Sequence, residues 1–342
     1  FRRVLFRSQH NPLFNWLIMP VAAVIGWEHV LEVTRTITIA ATLATAAVAG
    51  WLAWCLRRDR AFAWFAALVY LTLADVLMYR GWLAYVDPLF GMFVFAAIAA
   101  LWVACEENRP GLLALAALSL TCAFLSKAFT AYVFYGSAVF VLLFFARYRR
   151  VLLGPVSLGW HGVALLAPLL WLGTLSANTG QGGRMFFEML AKLMPAGVLE
   201  YARKLVAYPA ETLLRISPAA PLAAWFAWRG RIALPGDARR HAVTAVLIAL
   251  VCYLPYWLAP SSAIRYLTPI YPLAALALAL LLWSADKPAF AVILRWIGGM
   301  LALKVVAAAF LFPYYQSHYR GENYLRAADA IMQKSKIGRA HV

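Results

Sequence analysis

Three charged residues stand where an apolar chain least tolerates them, and their types point to phosphate chemistry. Asp87 lies in YRGWLAYVDPLFG (79–91), Lys127 divides FLSKAFTAY, and Arg265 sits in SSAIRYLTPIYP with Tyr266 beside it. A guanidinium binds phosphate through paired hydrogen bonds and an ammonium acts as a point charge. A fixed carboxylate orients an amine, a hydroxyl or a sugar. Arg80 adds a guanidinium to the Asp87 stretch, and His10 and Asn11 precede a further apolar run in QHNPLFNWL. Each residue also has a plainer reading. Asp87 before Pro88 suits a helix N-cap, Arg265 suits a snorkelling arginine, Lys127 suits a re-entry turn, and His10 suits solvent. For Asp87 the two readings are compatible, because a capping carboxylate is also a fixed one.

The elements that must position these groups are membrane helices. The chain has 342 residues, 64% hydrophobic and 13% charged, with a mean hydropathy of +0.74. A soluble domain carries about twice that charge. The expected fold is therefore an all-α integral membrane protein of about ten spans plus interfacial helices on the outer face. The expected spans are Ile37–Leu56, Ala61–Tyr79, Pro88–Cys105, Pro110–Ser126, Ala128–Ala146, Pro155–Ser176, Tyr208–Trp228, His241–Ala259, Ile264–Ser284 and Ala289–Phe312. Pro12–Trp27 is short enough to lie along the interface, joined onward by EHVLEVTR. GRMFFEMLAKLMPAGVLEYARKLV (183–206) reads as an outer helix pair broken at Pro195.

The formal charge of +17 reflects Arg and Lys at span ends and attracts anionic lipid; it does not call for nucleic acid. The four cysteines show no paired spacing, so they suggest helix packing rather than disulfides or zinc. No P-loop, HExxH, GxSxG or dinucleotide fingerprint is present.

Sidedness follows from the short basic turns RRDR (57–60), ARYRR (146–150), RGRIALPGDARR (229–240) and ADKP (285–288). Alternating spans place all four on one side, which is then cytoplasmic. Residues 79–87, Lys127, residues 177–207 and residues 261–265 fall together on the other. Asp75 and Lys304 lie inside spans, where an unpaired charge costs at least about 2.5 kcal/mol; they pair or line a polar cavity.

Five stretches, in order, resemble membrane glycosyltransferases of the aminoarabinose transferase and protein O-mannosyltransferase type. HNPLFNWLI resembles that family's P-P-L-Y-x-W-L element, and residues 33–60 its Arg-led helix ending in a basic turn. YRGWLAYVDPLFGMFVFAAIA is similar to its stretch with an outer aspartate. ALSLTCAFLSKAF resembles its L-x-K-G turn, with Ala128 in place of glycine. AIRYLTPIYPLAALAL is similar to its R-Y-L-L-P-x-x-P helix. The resemblance implies a C-type glycosyltransferase fold, a polyprenyl-phosphate-linked sugar as donor, and inversion at the anomeric carbon. The acceptor is a lipid, a glycan or a protein, in an inner-membrane enzyme whose active face is periplasmic or extracellular. Carried over, Asp87 is the second acidic group of the site, Lys127 and Arg265 are phosphate contacts, and Arg80, His10 and Tyr266 are further substrate contacts. No metal ligands are assigned.

In that family the primary base precedes the P-P-L-Y element. Residues 1–8 and 335–342 read as adapter scars, residues 9–313 as the transmembrane domain, and residues 314–334 as the start of an outer soluble segment. The expectation is thus a chain lacking its base and inactive as it stands. Two other classes compete: a transporter or flippase of an anionic lipid, and a non-catalytic subunit of a polysaccharide export complex.

Overall fold

The computed structural model describes residues 11–127, 129–174 and 197–318. His10, Ala128 and the Pro195 break lie outside them. The described chain is helical, with one isolated β-bridge between Ile232 and Ala285. In order, the α-helices of the first unit are α1 (Leu13–Ile25), α2 (Val30–Arg57), α3 (Arg60–Leu71), α4 (Asp87–Glu106), α5 (Leu113–Ser126), α6 (Thr130–Leu143), α7 (Ala146–Leu152), α8 (Pro155–Thr174), α9 (Val198–Arg215), α10 (Ala219–Trp228), α11 (Gly236–Leu258) and α12 (Tyr271–Trp283). Helix α13 (Lys287–Val306) leads from this unit into a second that begins at Gly298. In that second unit a π-turn (Ala307–Leu311) is followed by α14 (Phe312–His318), and the Lys304 ammonium lies 5.1 Å from the Phe312 ring centroid.

Helix α4 is the axis of the first unit. It is apolar all round, FGMFVFAAIAALWVAC, and a helix of that kind is stable only when surrounded. It packs against α2, α5, α6, α7 and the 3-10 turn Ile264–Ile270, and Val94 to Leu101 are almost wholly buried except at Ala96. Gly91 permits the last of these contacts. A Cβ there would stand 3.2 Å from Thr268 Cγ2, tighter than ordinary packing. Helices α11 and α12 pack on one another, and α12 also packs on α3 and α10.

Among the described residues five helices are long and apolar enough to cross a bilayer, or six if α7 and the first part of α8, bent by 65°, count as one span. Most of the remaining apolar helices have 10–17 residues. The proposed Tyr208–Trp228 span is corrected. Helix α9 starts well before it, ends at Arg215, and is separated from α10 by a turn containing a cis Ser217–Pro218 bond. Pro218, at the N-cap of α10, cannot continue the helix before it and accounts for the break. The Ala61–Tyr79 span also breaks: α3 stops at Leu71, and a π-turn covers Val76–Arg80. There the Ala74 amide leaves the helical ladder and donates to Ser217 O at 2.7 Å. EHVLEVTR is no joint, since helix α2 begins inside it. The outer helix does not end at Val206 but continues through α9.

The basic turns gather at one end of the first unit. Arg58, left-handed at φ 54°, reaches Glu107, and Arg147 and Arg240 reach Glu106. Asp59 caps α3 by accepting from the amides of Ala61 and Phe62. Asp87, Lys127 and Arg265 stand at the other end.

Candidate functional site

The site forms where α4 begins. Pro88 occupies the first turn, as its fixed φ favours, but the expected capping role of Asp87 is corrected. The N-cap is Val86, and no side chain caps the helix. The Asp87 carboxylate turns instead to Lys127 at the C-terminal end of α5, and its Oδ1 accepts from Nζ. Both side chains are almost fully buried, 9% and 7% exposed for Lys127 and Asp87. Burial at that level requires a partner, because an isolated charge there would be neutralised.

Two aromatic rings complete the lysine's surroundings. Lys127 Nζ lies 5.4 Å from the Phe90 centroid and 4.7 Å from the Tyr266 centroid, both within cation–π range. Arg265 shares the second ring, its guanidinium carbon 5.4 Å from the Tyr266 centroid. Arg265 is exposed, and its charge is felt by Asp87 and Tyr85. Asp87, Lys127, Tyr266 and Arg265 thus share one mouth. Among the described residues two cations meet one carboxylate there, so one positive charge is in excess.

Asn11 joins the same neighbourhood. Buried, it donates from Nδ2 to Phe124 O at 2.6 Å, on the last turn of α5. Two of the quoted stretches, far apart in sequence, therefore meet at the helix end that presents Lys127.

Arg80 belongs to a different cluster. Its Nε lies 2.8 Å from Asp75 Oδ2 in an ion pair without hydrogen-bond geometry. Arg215 Nη1 donates to Asp75 Oδ1 at 2.5 Å and Nη2 to Glu211 at 2.6 Å. Two arginines meet two carboxylates, so this cluster is balanced and clamps α9 to the turn after α3. Within the first unit the partners of Asp75 are these two arginines. Sequence reasoning passed over Arg215, although an arginine inside a proposed span is a strong signal.

Lys204 was also missed. From α9 it donates to three carbonyls at the end of α11, those of Tyr256 at 2.8 Å, Trp257 at 2.6 Å and Ala259 at 2.5 Å. It thereby satisfies acceptors that a helix terminus leaves open. Partial burial pulls its pKa below the ordinary lysine value. Tyr201 donates to Leu258 O at 2.8 Å, and Trp257 Nε1 returns a bond to Leu205 O at 2.9 Å. Among the described residues no group of three or more His, Cys, Asp or Glu gathers as a metal site.

Fold and site together define a multi-pass helical membrane protein with a cationic mouth at one end of its bundle. Among solved structures the chain is similar to ArnT from Cupriavidus metallidurans. The match to ArnT in the apo state has a TM-score of 0.62 and 17% identity, over 90% of this chain and 54% of that one. To ArnT bound to undecaprenyl phosphate it has a TM-score of 0.62 and 14% identity, over 90% and 55%. The chain thus spans little more than half the length of these structures, and the likeness is one of fold. No family profile and no curated protein matches the chain.

Proposed function

We propose that this protein is a membrane glycosyltransferase that moves a sugar from a polyprenyl-phosphate-linked donor to an acceptor on the outer face, with inversion. The observation that carries the reading is the one positive charge by which Lys127 and Arg265 exceed Asp87, among the described residues, at one mouth of an ArnT-like bundle. An acceptor oxygen or nitrogen attacks the anomeric carbon opposite the phosphate, and the lipid phosphate departs with the bonding pair. Charge then grows on the leaving oxygen. A buried, fixed cation such as Lys127 stabilises it by about 3 kcal/mol, and an exposed one by less, because water screens it. Lys127, held by Asp87 and two rings, is preorganised for that task. Arg265, exposed and without an ion-pair partner among the described residues, supplies the second cation. The acceptor's proton leaves to a carboxylate.

The test is turnover of a radiolabelled polyprenyl-phosphate sugar in proteoliposomes. It is run on this chain and on any longer reading frame of its gene that contains it. Lys127→Ala and Arg265→Ala each lower turnover about 100-fold in the active form. Unchanged turnover in both variants, with the fold intact, overturns the assignment. Lipid-phosphate movement without bond cleavage would instead establish a flippase.

A further inference from the structure

The stretch between the π-turn and α4 exposes two tyrosines beside the cationic mouth. Tyr79 is 45% and Tyr85 37% exposed. Their ring centroids lie 6.2 Å apart at an interplanar angle of 46°, and their hydroxyls meet at 3.3 Å. Tyr85 is two residues from Asp87, and its charge interactions include Asp87 and Arg80.

The backbone that presents these rings is tied down from several directions. Thr42 Oγ1 donates to Gly81 O at 2.9 Å, and Thr38 Oγ1 donates to Tyr85 O at 3.2 Å, both from α2. Arg80, immediately after Tyr79, is anchored to Asp75. The Gly81 amide closes the π-turn on Val76 O at 3.0 Å, and a Cβ at Gly81 would stand 2.4 Å from that same oxygen. Only glycine fits there. The rings therefore project from a rigid edge.

Aromatic rings at a membrane surface often serve as interfacial anchors. An anchor needs a ring at headgroup depth and nothing more. It does not need two tilted rings whose hydroxyls meet, on a backbone fixed by four ties, beside a site already carrying charge. Paired, exposed phenols suit a different ligand. A pyranose offers an apolar face of axial C–H groups and a rim of hydroxyls, which an aromatic face and a phenol oxygen complement respectively. The Tyr79 hydroxyl and partial burial hold the Tyr85 phenol above its ordinary pKa, so it remains both donor and acceptor at neutral pH.

We propose that Tyr79 and Tyr85 form a carbohydrate-binding ledge, and that the acceptor at this mouth is a glycan or glycolipid presenting a pyranose ring. The assignment as acceptor site rests on the glycosyltransferase reading; the binding of sugar does not.

The experiment is saturation-transfer NMR on the protein in nanodiscs, irradiating aromatic protons, with maltotriose and chitotriose as probes. Ring-proton signals of at least one probe are expected with the unaltered protein. They should fall about five-fold, the weight of an aromatic contact, in Tyr79→Ala/Tyr85→Ala, and persist in Tyr79→Phe/Tyr85→Phe, which keeps both rings. No transfer to either probe, or equal transfer to the alanine variant, overturns the ledge and leaves the tyrosines as interfacial anchors. Parallel titration with undecaprenyl phosphate separates the two ideas. Sugar binding with no lipid-phosphate binding retains the ledge and removes the glycosyltransferase reading, while the converse does the opposite.

Discussion

Helix α4 carries a carboxylate at each end, and the two are treated differently. At the basic-turn end Glu106 is surrounded. It accepts from Arg147 at 2.6 Å, Tyr148 at 2.5 Å and Arg240 at 3.1 Å, and lies 3.5 Å from His241 Nε2. Its partners come from α7 and α11, so it rivets three helices together. At the other end Asp87 holds Lys127, and the neighbouring Arg265 stands exposed beside Tyr266 with no carboxylate partner among the described residues. A saturated carboxylate has no bond to give away. A carboxylate holding one lysine beside a spare arginine can exchange partners when an anion arrives. The first arrangement is architecture and the second is available for chemistry.

The largest expected effect falls on activity at the Asp87 end. Replacing a buried ion pair by apolar or neutral groups of similar size is often close to neutral for folding, whereas breaking it from one side is costly. Asp87→Asn/Lys127→Met should therefore melt near the unaltered protein yet lose about 100-fold in turnover. If the double variant retained turnover, the two ends would be alike and the contrast would fail.

At the opposite end the cost should appear in stability. Glu106→Gln leaves two arginines competing for a neutral amide, and about 3 kcal/mol should be lost in chemical denaturation, with donor KM unchanged. Tyr148→Phe removes one hydrogen bond to the same carboxylate and should cost about 1.5 kcal/mol. A shift in donor KM from either change would show that the clamp reaches the mouth.

The smallest effect concerns Asp286, whose carboxyl is held below the usual carboxylate range first by the Arg231 guanidinium and then by the Ala289 amide. A depressed folded pKa adds stability above the unfolded value and loses it as pH falls through the folded one. Asp286→Asn should thus lower the melting temperature slightly at neutral pH, and the difference should vanish in acid below the ordinary carboxylate range.

Much of this layout was legible in the residues. The short arginine turns told which ends belong together, and the pairing of Arg58 with Glu107 and of Arg147 with Glu106 follows that grouping. The neighbourhood of Asp87 and Lys127 followed from the same alternation. The particular bonds were hidden, because a charge at a helix end reads identically whether it caps, snorkels or finds a partner. Asp87 looked like a cap and proved to be Lys127's counter-charge. Hydropathy also smoothed over Leu71–Val76 and Arg215–Pro218, where a main-chain bond between Ala74 and Ser217 and a shared carboxylate break two apolar runs. Such crossings join positions more than a hundred residues apart, beyond any local pattern.

Lys204 has a consequence for biosynthesis. The three oxygens it serves lie 52 to 55 positions further along the chain, so the ribosome delivers the donor well before its acceptors. Until that later stretch emerges, the ammonium must stay hydrated at the surface, and α9 can dock only after α11 is in place. The contact between α9 and the end of α11 is therefore closed late in assembly, from a segment made early.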